Sequence, residues 1–181
     1  MRKLACLLAL CATPAAASGI SIEVGGETSG TIVIDLLEDV APQHAERITT
    51  LAANGAYDGV AFHRVIPGFM AQTGDVQCGV EGATCPAGVG GSDLPDLPAE
   101  FSDVPYDRGI VGMARAQNPN SANSQFFIMF EEGYFLNGQY TVVGRVTEGM
   151  DVVDAIKKGG QSNNGAISGA PDRMVSVTVV E

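Results

Sequence analysis

The chain has 181 residues, with 21 acidic against 10 basic side chains, a formal net charge of −11, and no tryptophan. That length fits one domain with a substantial core and excludes a multidomain machine. The excess of acid makes nucleic acid and anionic lipid surfaces repulsive, so neither is expected as a partner.

The N-terminus reads Met1-Arg2-Lys3, an apolar run over residues 4–12, then Pro14-Ala15-Ala16-Ala17-Ser18. A basic start, a short apolar run and an Ala-x-Ala ending have the pattern of a secretory signal peptide cleaved after Ala17. Residues 1–17 are therefore set apart from a folded domain of residues 18–181, and a periplasmic or secreted location is expected. The run is too short to span a bilayer, so no stable membrane insertion is expected. A lipid anchor at Cys11 is disfavoured, because Leu10 stands where lipoprotein signals carry a small residue. Cleavage would leave eight basic against 21 acidic residues, a net charge of −13.

Strands are predicted at residues 20–24 and 31–36, followed by a helix at 42–53. Pro42 opens that helix, and Ala45, Ile48, Leu51 and Ala52 share one face, leaving His44 to solvent. Strands at 61–66 and 69–73 flank Pro67-Gly68. Alternation puts Phe62 and Arg64 on one face of the first and His63 on the other, where a structural, hydrogen-bonded histidine is expected. Met70 and Gln72 share a face on the second, with Gly68 bending the chain so that Phe69 can join them.

Residues 77–98 form the longest stretch without periodicity, a kind that is usually functional or disordered. Within it Cys78 and Cys85 are an even pair across a Gly-rich segment, which in an exported domain points to a disulfide, two free thiols being the alternative. Closing so short a loop contributes roughly 2–3 kcal/mol at most, enough to pin a loop but not to carry the fold. The spacing suits neither zinc nor a Cys-x-x-Cys redox site. The acidic residues Asp93, Asp96, Glu100, Asp103 and Asp107 lack the spacing of a calcium loop, so no metal is expected.

Further strands are predicted at 109–114, 125–130, 140–146 and 175–179, and a second helix at 150–158 with Val153 and Ile156 inward and two lysines in its last turn. On the strand from 125, Gln125 and Phe127 face one way while Phe126 and Ile128 face the other. About eight short strands, Gly/Pro turns and two helices imply a mainly β fold, a closed eight-stranded antiparallel barrel capped by two α-helices.

Three segments carry the chemistry: FHRVIPGFMAQTGD at 62–75, GMARAQNPNSANSQFFIMF at 112–130 and YFLNGQYTVVGRV at 134–146. In this order they resemble the cyclophilins, a family of peptidyl-prolyl cis–trans isomerases, and most of all its bacterial secreted branch. The resemblance implies that Arg64 is catalytic and that Phe69, Met70, Phe127 and Leu136 form a proline pocket. It also implies that Gln72 and Gln125 bond the substrate backbone and that the main chain of Ala114 and Arg115 binds the residues before proline. Phe135 and Tyr140, also implied as substrate contacts, stand where better-known eukaryotic members have tryptophan and histidine, and Arg115 replaces a common asparagine.

The implied reaction needs no cofactor, because rotation about an X-Pro bond makes and breaks no bond. Its substrates would be proline-containing segments of unfolded or flexible polypeptides, and a monomer is the default expectation. A non-catalytic proline-peptide binder or holdase chaperone is the alternative, against which the intact Arg64 and Gln72 pair argues. With Phe135 lacking an indole N–H, cyclosporin should bind weakly; calorimetric titration that gives nanomolar affinity would overturn this expectation.

Overall fold

The computed structural model describes residues 19–181; the predicted signal peptide, with Cys6 and Cys11, lies outside the described residues. In chain order the elements are β1 (Gly19–Gly25), β2 (Gly30–Leu36), α1 (Pro42–Ala53), β3 (Val60–Ala61), β4 (Arg64–Ile66), β5 (Met70–Thr73), β6 (Ile110–Met113), β7 (Phe126–Met129), β8 (Val142–Glu148), α2 (Met150–Ala155) and β9 (Arg173–Val180). The strands make one antiparallel sheet in the order β3-β9-β1-β2-β8-β6-β7-β5-β4.

The closed eight-stranded barrel expected from the sequence is thereby corrected to a curled nine-stranded half-barrel. The predicted strand 61–66 breaks at Phe62 and His63 into β3 and β4, which lie at opposite edges of the sheet. At the break and along the outer edge of β4 the backbone pairs with a loop instead of a strand. Phe62 N–H donates to Asp172 O at 2.9 Å, His63 O accepts from Ile167 N–H at 3.3 Å, and Val65 N–H donates to Gly165 O at 2.7 Å. The break also undoes the expected facing, since Phe62 is fully buried in the main core while Arg64 lies outside it.

The main core fills the curl with alternate residues of the strands, among them Ile20, Ile22, Ile32, Ile34, Ala71, Val111, Phe126 and Ile128. Helix α1 closes one side with Ala45, Ile48, Leu51 and Ala52, the face that its 3.6-residue period predicts. Helix α2 is shorter than predicted because Ile156 turns to an extended backbone, φ −49° and ψ 133°, and is itself buried. Lys158 then caps the freed helix end, its amine donating to the Asp154 and Ile156 carbonyls at 2.6 and 2.8 Å.

His44 is not solvated but fully buried, because Glu100 reaches it from a loop far away in sequence. The Glu100 carboxylate accepts the α1 N-terminal amides of Gln43 and His44 at 3.3 and 3.2 Å and meets His44 Nδ1 at 2.6 Å. It supplies the cap that Ala41 cannot, at the helix end where a negative charge is favoured. Burial lowers the His44 pKa more than Glu100 raises it, and a second proton on Nε2 would find no partner among the described residues. Burial alone would raise the Glu100 carboxyl, but its bonds from His44 and Gln43 hold it below its usual value.

Both shifts weaken the fold in acid. The unfolded chain takes up a proton near pH 6.5 that folded His44 refuses, so this stability is complete above 6.5 and drains away below it. The Glu100 contribution is present above its unfolded value of 4.5 and is lost as pH falls through the depressed folded one. The melting temperature should therefore fall from pH 7 to pH 5, and a His44→Gln variant should show a flatter slope over that interval by calorimetry.

Candidate active site

Strand register alone brings the central residues of the site together. Arg64 on β4 lies opposite Gln72 on β5, Gln72 opposite Phe127 on β7, and Phe127 opposite Gly112 on β6. These residues form one row across four strands, on the face away from the main core. The type II turn signature of Pro67-Gly68, with φ +70° at Gly68 and Phe69 N–H returning to Ile66 O at 3.1 Å, joins β4 to β5 in that register. Gly112 must be glycine, since a β-carbon there would run into the Phe127 ring and the Tyr106 hydroxyl.

A second apolar cluster lies under the row. Met70, Phe127 and Leu136 are buried there with Tyr106, Met129 and Val142. Phe127 stacks on Tyr106 at 5.8 Å and meets Tyr140 edge-on at 5.9 Å. Phe69 and Phe135, 5.5 Å apart, form the rim, and Phe135 is 66% exposed from the short 3₁₀ turn Tyr134–Leu136. Arg115 covers the outer side of Tyr140, its guanidinium 4.3 Å from the ring centre, with Nη2 donating to Gln139 O at 2.8 Å.

Arg64 and nine of the ten predicted substrate contacts line one cavity of about 300 Å³. The tenth, Gln125, lines a neighbouring cleft of about 520 Å³ whose far wall is the glycine-rich segment 88–91. Gln125 is fully engaged within the protein: its Nε2 donates to Gly88 O and Gly90 O at 3.1 and 2.8 Å, and its Oε1 accepts from Gln72 at 2.9 Å. Cys78 and Cys85 are disulfide-bonded, with α-carbons 5.3 Å apart, in the loop that leads to this segment.

The electrostatics centre on Arg64. Its Nη1 donates to Gln72 Oε1 at 3.1 Å, its Nε to Asn164 O at 3.0 Å, and its Nη2 to Asn164 Oδ1 at 2.9 Å, while Met70 Sδ lies 3.9 Å from Nη1. Burial lowers its pKa and Tyr140 opposes that shift. Every partner is a neutral oxygen or sulfur, so the positive charge is held in place without being neutralised.

Asn164 escaped the sequence reading. It is the only non-glycine residue with positive φ among the described residues, at 50°, and the Asn164-Gly165 dipeptide was the available signal, since asparagine tolerates this conformation.

His63 is not among the residues that line the cavity, and the hydrogen bonds expected of it are absent, because neither ring nitrogen has a partner among the described residues. Burial lowers its pKa, with Asp75 opposing. Among the described residues no three of His, Cys, Asp and Glu gather as a metal ion would require. The acidic residues noted above serve elsewhere: Asp107 accepts from Tyr134, Asp96 from Asn123, and Glu100 caps α1.

Residues 20–179 match the family described as cyclophilin type peptidyl-prolyl cis-trans isomerase. The chain belongs to the cyclophilin family, and it is accordingly a peptidyl-prolyl cis–trans isomerase. A probable peptidyl-prolyl cis-trans isomerase of Brucella suis is 60% identical over 153 residues, which is 83% of this cyclophilin and 78% of that protein. A Cryptosporidium parvum cyclophilin solved in the presence of the dipeptide Ala-Pro superposes with a TM-score of 0.75 at 26% identity, covering 90% of this chain and 99% of that one. A cyclophilin from Hirschia baltica gives 0.72 at 27% identity, covering 88% and 73%.

Asn164→Gly keeps the left-handed backbone and the carbonyl but removes one of the oxygens that hold Arg64. Stability by urea denaturation should change by less than about 0.5 kcal/mol. Isomerase kcat/KM should nevertheless fall about 3–10-fold, the loss of one hydrogen bond to a charged group in a partly solvated place.

Proposed function

We propose that this cyclophilin accelerates rotation about X-Pro bonds in unfolded or flexible exported polypeptides, with Arg64 favouring the twisted amide over the planar one. The observation that carries the reading is the unneutralised guanidinium beside an apolar cavity. Rotation must cross a barrier of about 18–20 kcal/mol set by amide resonance. As the bond twists, the prolyl nitrogen regains its lone pair, and an N–H of Arg64 donates to it. The planar ground state offers no such acceptor, so the interaction acts on the transition state alone.

Phe69, Met70, Phe127 and Leu136 grip the pyrrolidine ring while the preceding carbonyl swings, and Phe135 and Tyr140 complete the rim. The Ala114 N–H already bonds the Gln125 carbonyl at 2.9 Å, so Ala114 offers the substrate its own carbonyl, beside the main chain of Arg115. Shortening a relaxation of about 100 s to a millisecond takes roughly 10⁵-fold, or about 7 kcal/mol. Charge placement and orientation can supply that amount.

The N-terminal pattern supports export, with cleavage after Ala17 and a periplasmic or secreted monomer as the working form. Slow X-Pro isomerisation limits the folding of many chains, which gives such an enzyme its clients.

The test is the cis-to-trans relaxation of an Ala-Pro-Phe peptide with the mature protein and with Arg64→Ala. Wild type should accelerate it, and the variant should lose about 10²–10³-fold in kcat/KM with its fold unchanged by circular dichroism. Peptide binding without acceleration by wild type would instead establish a binding module or holdase.

A further inference from the structure

The contacts behind Arg64 form a relay with a fixed direction. Gly88 O and Gly90 O can only accept, so Gln125 must turn its NH₂ to them and its oxygen to Gln72. Gln72 must then present its own NH₂ to Gln125, which leaves its oxygen for Arg64. Arg64 can only donate, so the other end of the relay demands the same polarity. Neither amide can flip without breaking bonds on both of its sides.

The anchor of this relay is itself held from two directions. The buried Asp75 carboxylate accepts four amides: Gln77 at 3.2 Å, Cys78 at 2.8 Å, Gly88 at 2.6 Å and Gly90 at 3.0 Å. It thus ties the start of the loop to the segment whose carbonyls hold Gln125. Between those two points the disulfide bridges Cys78, which is 5% exposed, to Cys85. Gly90 packs so close to Cys78 that a β-carbon on it would lie 2.9 Å from the sulfur. A displacement of Cys78 is therefore felt at Gly90 and at the amide that Gly90 holds.

We propose that Gln125 is a positioning residue that acts on Arg64 through Gln72, and that the Cys78–Cys85 disulfide sets its anchor, so that the oxidation state of this pair reaches the catalytic guanidinium. The proposal rests on the isomerase reading of Arg64. Reduction by a dithiol adds two electrons and two protons to the S–S bond, giving two thiols and the cyclic disulfide of the reagent. The Cys78 end of the loop is then tied to Gly88 and Gly90 by Asp75 without the covalent bridge, the Gly88 and Gly90 carbonyls move, and the Gln72 oxygen is free to turn from Arg64.

The experiment compares oxidised protein, protein held reduced in excess dithiol, and Gln125→Met in both states. It reads kcat and KM on an Ala-Pro peptide, and the ¹⁵N–¹H signal of Arg64 Nε, assigned by its loss in Arg64→Ala. Gln125→Met should lower kcat about 10-fold with KM within about twofold, and should shift the Arg64 signal. Reduction of wild type should lower kcat about 3-fold and move the signal in the same direction, yet change neither in Gln125→Met, where the relay is already cut. An effect of reduction confined to KM, or one of equal size in Gln125→Met, would overturn the proposal, as would an unmoved Arg64 signal. Failure of oxidised wild type to accelerate isomerisation would sink the isomerase reading instead, and the Arg64 signal would still decide whether the relay exists.

Discussion

A guanidinium set beside an apolar cavity must have its N–H groups satisfied, yet a carboxylate partner would cancel the charge that the site needs. Arg64 meets both demands with amide and carbonyl oxygens from Gln72 and Asn164. The first comes from the neighbouring strand across a tight turn, and the second from a loop 100 residues further along the chain. Desolvation weighs against the protonated side chain, as its lowered pKa records. On the function proposed above, a charge so held acts when the substrate develops an acceptor late in the reaction, as a twisting amide does.

The break between β3 and β4 serves the same requirement, because the backbone it frees pairs with the loop that carries Asn164. In the half-barrel, the backbone around β4 bonds to Gly165, Ile167 and Asp172, and this pairing brings Asn164 against Arg64. The sheet also serves two sides at once. Ala71, Val111 and Ile128 pack the main core, while Met70, Gln72, Phe127 and Gly112 between them build the site on the opposite face. The site therefore inherits the rigidity of the core, because the two sets of side chains alternate along the same short strands.

What the sequence made legible was what short-range rules govern. Helix α1 begins and ends where Pro42 and the apolar period place it, and the facing of Gln72 and Phe127 follows from alternation on regular strands. His44 was misread because its partner, Glu100, lies 56 residues away, and periodicity along one helix cannot reveal a distant loop. The break of 61–66 escaped for a similar reason, since β propensity is satisfied whether the backbone pairs with a strand or with a loop. The motif residues of the site were identified by resemblance, whereas Asn164 had only its place before a glycine to mark it. Gln125 was expected at the substrate, but the orientation of its amide depends on carbonyls 35 and 37 residues away.

The long loop is held in one conformation mainly by polar contacts. A stretch without secondary structure carries an ordering cost of about 1–2 kcal/mol per residue, and a disulfide worth about 3 kcal/mol at most offsets only a few of them. The rest of its order must come from polar contacts: Asp75 receiving four amides, Asn123 receiving the Ser92 amide and hydroxyl, and Arg47 reaching Pro95 O at 2.7 Å. A carboxylate as buried as Asp75 is tolerable because those amides replace the water it lost. Such an arrangement stabilises one loop conformation far more than it stabilises the domain. That is what a wall must have when its glycine carbonyls, with no side chains between, are what hold Gln125 in place.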